Sequence, residues 1–390
     1  MNRLFSILII LFLGVTIAEA QNTVTPVEAT SSSDGIYYSL PQAVLKVHVK
    51  VKRTDYYAGP LASYADEYLG KFDVSESDYS EYSVVEISMD DYAIPDPEQY
   101  YYVQFKAEGS KDSRALLMSL NSAGILSSIN NQPVAINPEK GKTVAVNTQT
   151  DINKDDLFDF VAISPQRKII DTSIRIITVD TSHVEEISYS ARFEKKTLEE
   201  MAKEVAGKIE KILHDRYYIS IGYQEVAYPA GTMKYMDGQL KKRQEAYTDL
   251  FLGKKVTGYE EYTFTVIPKK SEEIFSETIC KFSKHSGVRS AASSLGKAIN
   301  VVVTSLETTK KMAWHAESVM KAPKERKGIY YRIPEYANIN VVFDNKEAFS
   351  DTRIIPQYGV VSFVPYANDM EFEIHPKTGA LKKVGLKHID

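Results

Sequence analysis

One cysteine, Cys280, and one tryptophan, Trp314, occur in 390 residues. A single thiol excludes an internal disulfide, so the fold must rest on packing and hydrogen bonding alone. Cys280 stands between Ile279 and Phe282 in a strand-like run, where a buried, inert thiol is expected rather than a nucleophile. The seven histidines, His48, His183, His214, His285, His315, His375 and His388, never pair at helical or strand spacing with another His or Cys. No zinc framework is visible, and no cofactor is expected. A formal charge of -5 argues against a dedicated nucleic-acid binder. Beyond Ile17 no apolar run approaches the roughly 20 residues of a spanning helix.

At the start, Arg3, the apolar run Leu4 to Ile17 and Ala18-Glu19-Ala20 follow one another as the parts of a secretory signal peptide, 1–20, cut before Gln21. No cysteine at the cut offers a lipid anchor. Residues 21–33 are small and polar, the composition of a flexible leader.

The remainder alternates. Ala43, Leu45, Val47, Val49 and Val51 interleave with Lys46, His48, Lys50 and Lys52, the period of a strand with one buried and one wet face. A short helix, 60–69, is expected after Pro60, with Leu61, Tyr64, Ala65, Tyr68 and Leu69 as its apolar stripe and Gly70 as its stop. Strand patterns resume at YSVVEISM, at YYYVQFKA after the turn Pro95-Asp96-Pro97, and around a hairpin loop at Asn121 to Gly124. Asp151 to Asp156 opens like a calcium loop, but position six is Asp156 and position twelve Ala162, where glycine and glutamate are needed. Strands are read at Ile169 to Val179 and Val184 to Phe193. A capping box of Thr197 and Glu200 starts a helix, 197–214, followed by a strand at Tyr217 to Val226 and a helix, 239–252, stopped by Gly253. The chain closes with strands at Ile354 to Val364 and Glu371 to Leu386, the latter folded at Lys377-Thr378-Gly379.

Two segments echo each other: Tyr64-Ala-Asp66-Glu-Tyr68-Leu69-Gly70-Lys71 and Tyr247-Thr-Asp249-Leu-Phe251-Leu252-Gly253-Lys254. This reads as a diverged internal duplication into two similar lobes, each strand-helix-sheet. The expected fold is α+β, predominantly β, with a β-rich lobe over 34–190 and a second over 191–390. A further echo, Gly35-Ile-Tyr-Tyr-Ser-Leu-Pro41 and Gly328-Ile-Tyr-Tyr-Arg-Ile-Pro334, does not fit a simple tandem arrangement. Its later copy has one extra residue between proline and alanine, which inverts the buried face unless a bulge absorbs it.

With GIYYSLP, GPLASYADEYLGK, YTDLFLGK and GIYYRIP, the chain resembles a family of exported Bacteroidota proteins known only as a domain of unknown function, DUF4831. The resemblance spans most of the chain and implies a Gram-negative envelope location, in the periplasm or at the outer-membrane surface. It implies no activity and no site residues.

Ser294-Leu-Gly-Lys297, Tyr336-Ala-Asn338 and Lys377-Thr378-Gly379 spell the motifs of penicillin-recognising enzymes in order. Only about forty residues separate successive motifs, too few for the helical domain between them. The aromatic content is more informative, with 26 tyrosines, many doubled. In a doubled pair on a strand one ring faces the core and the other faces out. Tyr37, Tyr38, Tyr330 and Tyr331 are the partner-binding candidates, for another envelope protein. Lys46, His48, Lys50 and Lys52 are candidates for an anionic envelope component. The expected function is a non-catalytic binding or structural component, with an envelope hydrolase whose site lies between the lobes as the alternative.

Overall fold

The computed structural model describes residues 23–26, 35–104, 118–129, 157–158, 165–179, 182–223, 228–270, 274–313, 328–365 and 370–386. The alternating stretch becomes β2, Gly35–Tyr57, flanked by β3, Tyr79–Gln104, and β8, Lys254–Val266. With β1, Thr23–Pro26, these make a sheet in the order β1-β3-β2-β8. A second sheet, in the order β10-β9-β11-β12-β13, uses β9 (Ile274–Ser283), β10 (Gly287–Ser290), β11 (Lys297–Ser305), β12 (Gly328–Phe343) and β13 (Lys346–Pro365). The inward rows of both sheets form one core cluster: Leu45, Val47, Val49 and Val51 from β2 meet Val301 and Val303 from β11 and Ile339 and Val341 from β12. Each such side chain contributes about 1.5 to 3 kcal/mol when fully buried, which is why the strict alternation specifies the register. Cys280 lies in this cluster, fully buried, and burial pushes its thiol up to about 12, leaving an unreactive group.

The two long hairpins, β2–β3 and β12–β13, carry the same irregularity. Between Ser39 and Pro41 the partner register jumps from Tyr100 to Pro95, and between Ile333 and Glu335 it jumps from Val360 to Ile355. The extra residue of the later copy is taken up there, so Ala43 and Ala337 both face the core. Pro95-Asp96-Pro97, expected as a turn ending a strand, is instead part of a bulge in one continuous β3. Prolines sit well at a bulge because no ladder donor is needed there. Gly35 and Gly328 start the two hairpins where a β-carbon would run into a partner ring and carbonyl, Tyr102 and Val103 in one case and Phe363 and Val364 in the other.

Beyond the bulges each long hairpin meets a short one. These are β4 (Met118–Leu120) with β5 (Leu126–Ile129), and β14 (Met370–Ile374) with β15 (Leu381–Leu386), joined in the order β15-β14-β5-β4. The turns fall at Asn121–Gly124 and Lys377–Gly379. Ser39 N–H donates to Gly124 O at 3.2 Å, and Arg332 N–H donates to Gly379 O at 2.8 Å.

Helices form a separate layer. A 3-10 turn, Ala62–Tyr64, leads into α1, Ala65–Leu69, which stops at Gly70 with φ 63°. The long helices are α2, Leu198–Ile221, and α3, Ala230–Leu252. Thr197 and Glu200 form the capping box at the start of α2. The helix runs to Ile221 rather than His214, so the strand expected from Tyr217 is helical in its first turn. Arg216, which donates to Asp237 and Gln244 at 2.8 Å each, ties this extension to α3. The start of α3 lies at Ala230 rather than Gln239.

The two glycine-stopped helices do not occupy equivalent places, each on a sheet of its own. α1 has 5 residues and α3 has 23, and they share one cluster in which Leu61, Ala65, Leu250 and Phe251 meet Val205 and Ile209 of α2. Leu61 N–H donates to Leu250 O at 2.9 Å. The division expected at residue 190 also separates no sheets, because β8 completes the sheet of β2 and β14 pairs with β5. The molecule is predominantly β, and its chain halves are interleaved. Leu250→Ala is expected to cost about 2 to 5 kcal/mol by leaving a cavity where three helices meet, whereas Leu213→Ala, on the exposed side of α2, should stay within about 0.5 kcal/mol. Urea denaturation of both variants measures the contrast.

Candidate functional site

The bulges of β3 and β13 face a cavity of about 810 Å³. Asp96, Glu98 and Gln99 come from one bulge and Gln357 and Gly359 from the other, with Gln42 of β2, Arg332 of β12 and Lys269 and Lys270 after β8 completing the polar lining. Asp96 and Arg332 are both buried and form a direct ion pair across the two hairpins. The second oxygen of Asp96 accepts from Glu98 N–H at 2.9 Å. Burial lowers the Arg332 guanidinium from its ordinary value, and the Asp96 carboxylate opposes that shift.

The other polar groups are similarly engaged. Gln357 accepts from Ala43 N–H at 2.8 Å and donates to Ala43 O at 3.0 Å and Pro268 O at 3.1 Å, fastening β13 to β2. Lys270 Nζ donates to Gly359 O at 3.0 Å. On a neighbouring cavity Arg353 of β13 pairs with Asp91 of β3 and with Asp351 at 2.9 Å, and its guanidinium donates to Met89 O at 2.8 Å. Among the described residues that line the larger cavity there is no Ser, Thr, Cys, His or Tyr. Of its two carboxylates, Asp96, the buried one, has both oxygens committed, and Glu98 is exposed.

Above this joint lies an aromatic seam. Tyr38 stacks on Tyr101 with ring centroids 5.3 Å apart, Tyr101 stacks on Tyr330 at 4.3 Å, and Tyr330 meets Phe363 edge-on at 5.2 Å. Tyr38 Oη accepts from Tyr330 N–H at 3.0 Å, so the two GIYY segments are bonded to each other. Burial raises the Tyr38 hydroxyl well above its ordinary value.

Of the partner-binding candidates, Tyr38 and Tyr330 are thus core residues and unavailable to a partner. Tyr37 is 53% exposed, its ring resting on Tyr102 at 4.8 Å, and Tyr331 is half-buried against the seam. The less buried member is the first tyrosine in the earlier pair and the second in the later one, because Tyr330 is turned inward to meet Tyr101.

Lys46, His48, Lys50 and Lys52 share the outer face of β2, but carboxylates flank them. Asp90 lies beside Lys46, and Glu86 and Glu261 lie beside Lys50. His48 is buried, 3.2 Å from Glu261 Oε1 and 3.2 Å from Thr263 Oγ1. Lys50 stands over the Tyr259 ring at 5.6 Å, and Lys52 lies opposite Ser83 and Tyr259. A basic row on one strand is a charge-mixed face on the sheet. The calcium-like run 151–156 lies outside the described residues, and among the described residues no cluster suited to a metal occurs. Ser294 lies in the loop before β11, Tyr336 on β12 and Lys377 in the β14–β15 turn.

Asp96 and Arg332 escape pattern reading. One stands in the turn-like run Pro95-Asp96-Pro97, and the other occupies the place of Ser39 in the heptapeptide echo. A charged residue inside that otherwise apolar echo was the available signal.

One more buried carboxylate holds the neighbourhood. Glu335 accepts from the backbone and hydroxyl of Thr308 at 2.8 and 2.5 Å and from those of Thr309 at 2.9 and 2.5 Å. Burial pushes its carboxyl up, but these bonds together outweigh that and hold it below its ordinary value. A depressed folded value means stabilisation that is present above the unfolded value of about 4.3 and is lost as pH falls through the folded one. Urea unfolding from neutral pH down to about pH 3 should therefore show a steeper loss in the wild type than in Glu335→Gln; parallel losses would contradict this role.

The family model for Domain of unknown function (DUF4831) matches residues 34–165 and 182–381. No curated protein matches the chain. No solved structure matches it either.

Proposed function

This chain belongs to the DUF4831 family, described only by its unknown function, and we propose from its own surfaces that it is a non-catalytic binding or structural component of the cell envelope. The observation that carries this reading is the exposed ring of Tyr37 beside exposed Ile36, on a strand whose next tyrosine is locked in the core. A rigidly backed aromatic side chain offers contact area at little entropic cost, the quality of an interface anchor. Tyr217, Tyr223 and Tyr235, exposed on or next to the long helices, extend the same character.

The cavity supports the reading from the other side. Asp96, Arg332, Gln357 and Lys270 are spent on bonds that join the strands and the segment after β8, so these four groups act as a fastening. Among the described lining residues Glu98 is an exposed carboxylate with no hydroxyl, thiol or imidazole in the lining beside it, which gives an envelope hydrolase less support. The partner proposed is another envelope protein, reached by export to the periplasm or outer-membrane surface of a Gram-negative bacterium. The charge-mixed face of Lys46 to Lys52 gives an anionic partner less support.

We further infer that the two long hairpins with their short hairpins are diverged copies of one unit, in place of the helix-based pairing. The matching bulges, the crowded glycines and the paired bonds from Ser39 to Gly124 and from Arg332 to Gly379 support this.

Mild crosslinking in intact cells followed by purification of the tagged protein tests the function. A defined partner protein should be recovered, and Tyr37→Ala should weaken its binding by at least about 1 to 2 kcal/mol with unchanged melting. Recovery of free protein only, together with turnover of an envelope polymer by the pure chain, would replace this reading with the hydrolase.

A further inference from the structure

Ahead of α2 the chain forms a ribbon of β6, Gln166–Val179, and β7, Ser182–Lys195, which pair with each other and with no other strand among the described residues. Its register sets Ile170 against Ala191, Thr172 against Tyr189, Ile174 against Ile187 and Ile176 against Glu185. Side chains of cross-strand partners share a face, so Ile170, Ile174, Ile176, Ile187, Tyr189 and Phe193 all lie on one side. Each is between 47% and 70% exposed.

The opposite side is closed by its own polar partners. Arg192 pairs with Asp171 at 3.0 Å, Arg167 with Glu194 at 3.2 Å, and Ser173 with Ser188 at 2.5 Å. An isolated two-stranded ribbon is marginal in water, and a contiguous bare apolar face of this kind marks an interaction surface.

The charges on the apolar face identify the occupant. Lys168 and Lys195 stand at its base and Glu185 at the far end, all exposed. When two such faces stack about a two-fold axis, the base of each ribbon meets the end of the other, setting lysines against glutamate at both ends and apolar rows in the middle. Stacked over about six residue pairs at roughly 3.4 Å per residue, two ribbons bury on the order of 1,000 Å², the lower range of specific interfaces. We propose that the apolar face of the β6–β7 ribbon is a homodimer surface, occupied by the same face of a second copy of this chain. The family match is interrupted at 166–181, which takes in β6, so the surface is argued from this chain alone. It is independent of the Tyr37 contact.

Sedimentation of the full exported chain over about a hundredfold range of concentration tests it, since a dimer is populated by mass action. A monomer–dimer equilibrium is expected, weakened at least about tenfold by Ile174→Glu with unchanged melting. Lys168→Glu should weaken it, and adding Glu185→Lys in the same chain should restore it. Thr172 lies near the proposed axis, so Thr172→Cys should give a disulfide-linked dimer on mild oxidation, while Ser173→Cys, on the polar face, should not. A monomer at every concentration, a dimer indifferent to Ile174→Glu, or equal crosslinking through both cysteines would overturn the proposal.

Discussion

The buried ion pair between Asp96 and Arg332 is the constraint around which the two halves of the sandwich are arranged. The partners are separated by 236 residues in the chain, and both are almost fully removed from water. Burying two charges is unfavourable unless each finds its partner and further donors or acceptors. That requirement fixes how the bulge of β3 sits against β12, because displacing either strand would leave a charge stranded in the interior. The half-buried amide ties of Gln357 and the outer pair of Arg353 with Asp91 act in the same direction, each linking β13 to the first hairpin.

From that joint the rest follows in layers. On one side the alternating rows of β2, β11 and β12 close the apolar core. On the other, Tyr38, Tyr101 and Tyr330 form the aromatic seam, covered by the short hairpins through Leu126, Ile129, Phe372 and Ile374. The bulges allow both: they let each long hairpin leave the core register and present a different face to the second layer. The helices stand apart, closed by Leu250 and Phe251 on the base of α1 and α2.

Much of the local structure was legible in the sequence because its causes are local. The alternation from Ala43 to Val51, the capping box of Thr197 and Glu200 and the turns at Gly124 and Gly379 each depend on neighbours within a few residues. The errors mark where distant contacts decide. Tyr217-Tyr218-Ile219 has the composition of a strand but continues α2, because Arg216 is held by Asp237 and Gln244 on α3. Gly231 and Gly238 weaken the helical pattern of α3, whose start follows from its antiparallel packing on α2. Doubling of tyrosines indicated that one ring of each pair turns inward, but not which one; that depended on Tyr101, a strand away. The lysines of β2 looked like a basic stripe because their carboxylate neighbours belong to β3 and β8. At the candidate site Asp96 and Arg332 were invisible as a pair for the same reason.

That the buried charges of the cavity serve as a fastening is tested most directly by a double-mutant cycle. Asp96→Asn, Arg332→Met and the double variant would be compared by urea denaturation. The account predicts that each single change costs about 3 to 5 kcal/mol, since each leaves a buried polar group unpaired, and that the double variant costs clearly less than their sum. Additive and small effects would contradict it, leaving Asp96 and Arg332 free for another role in the cavity.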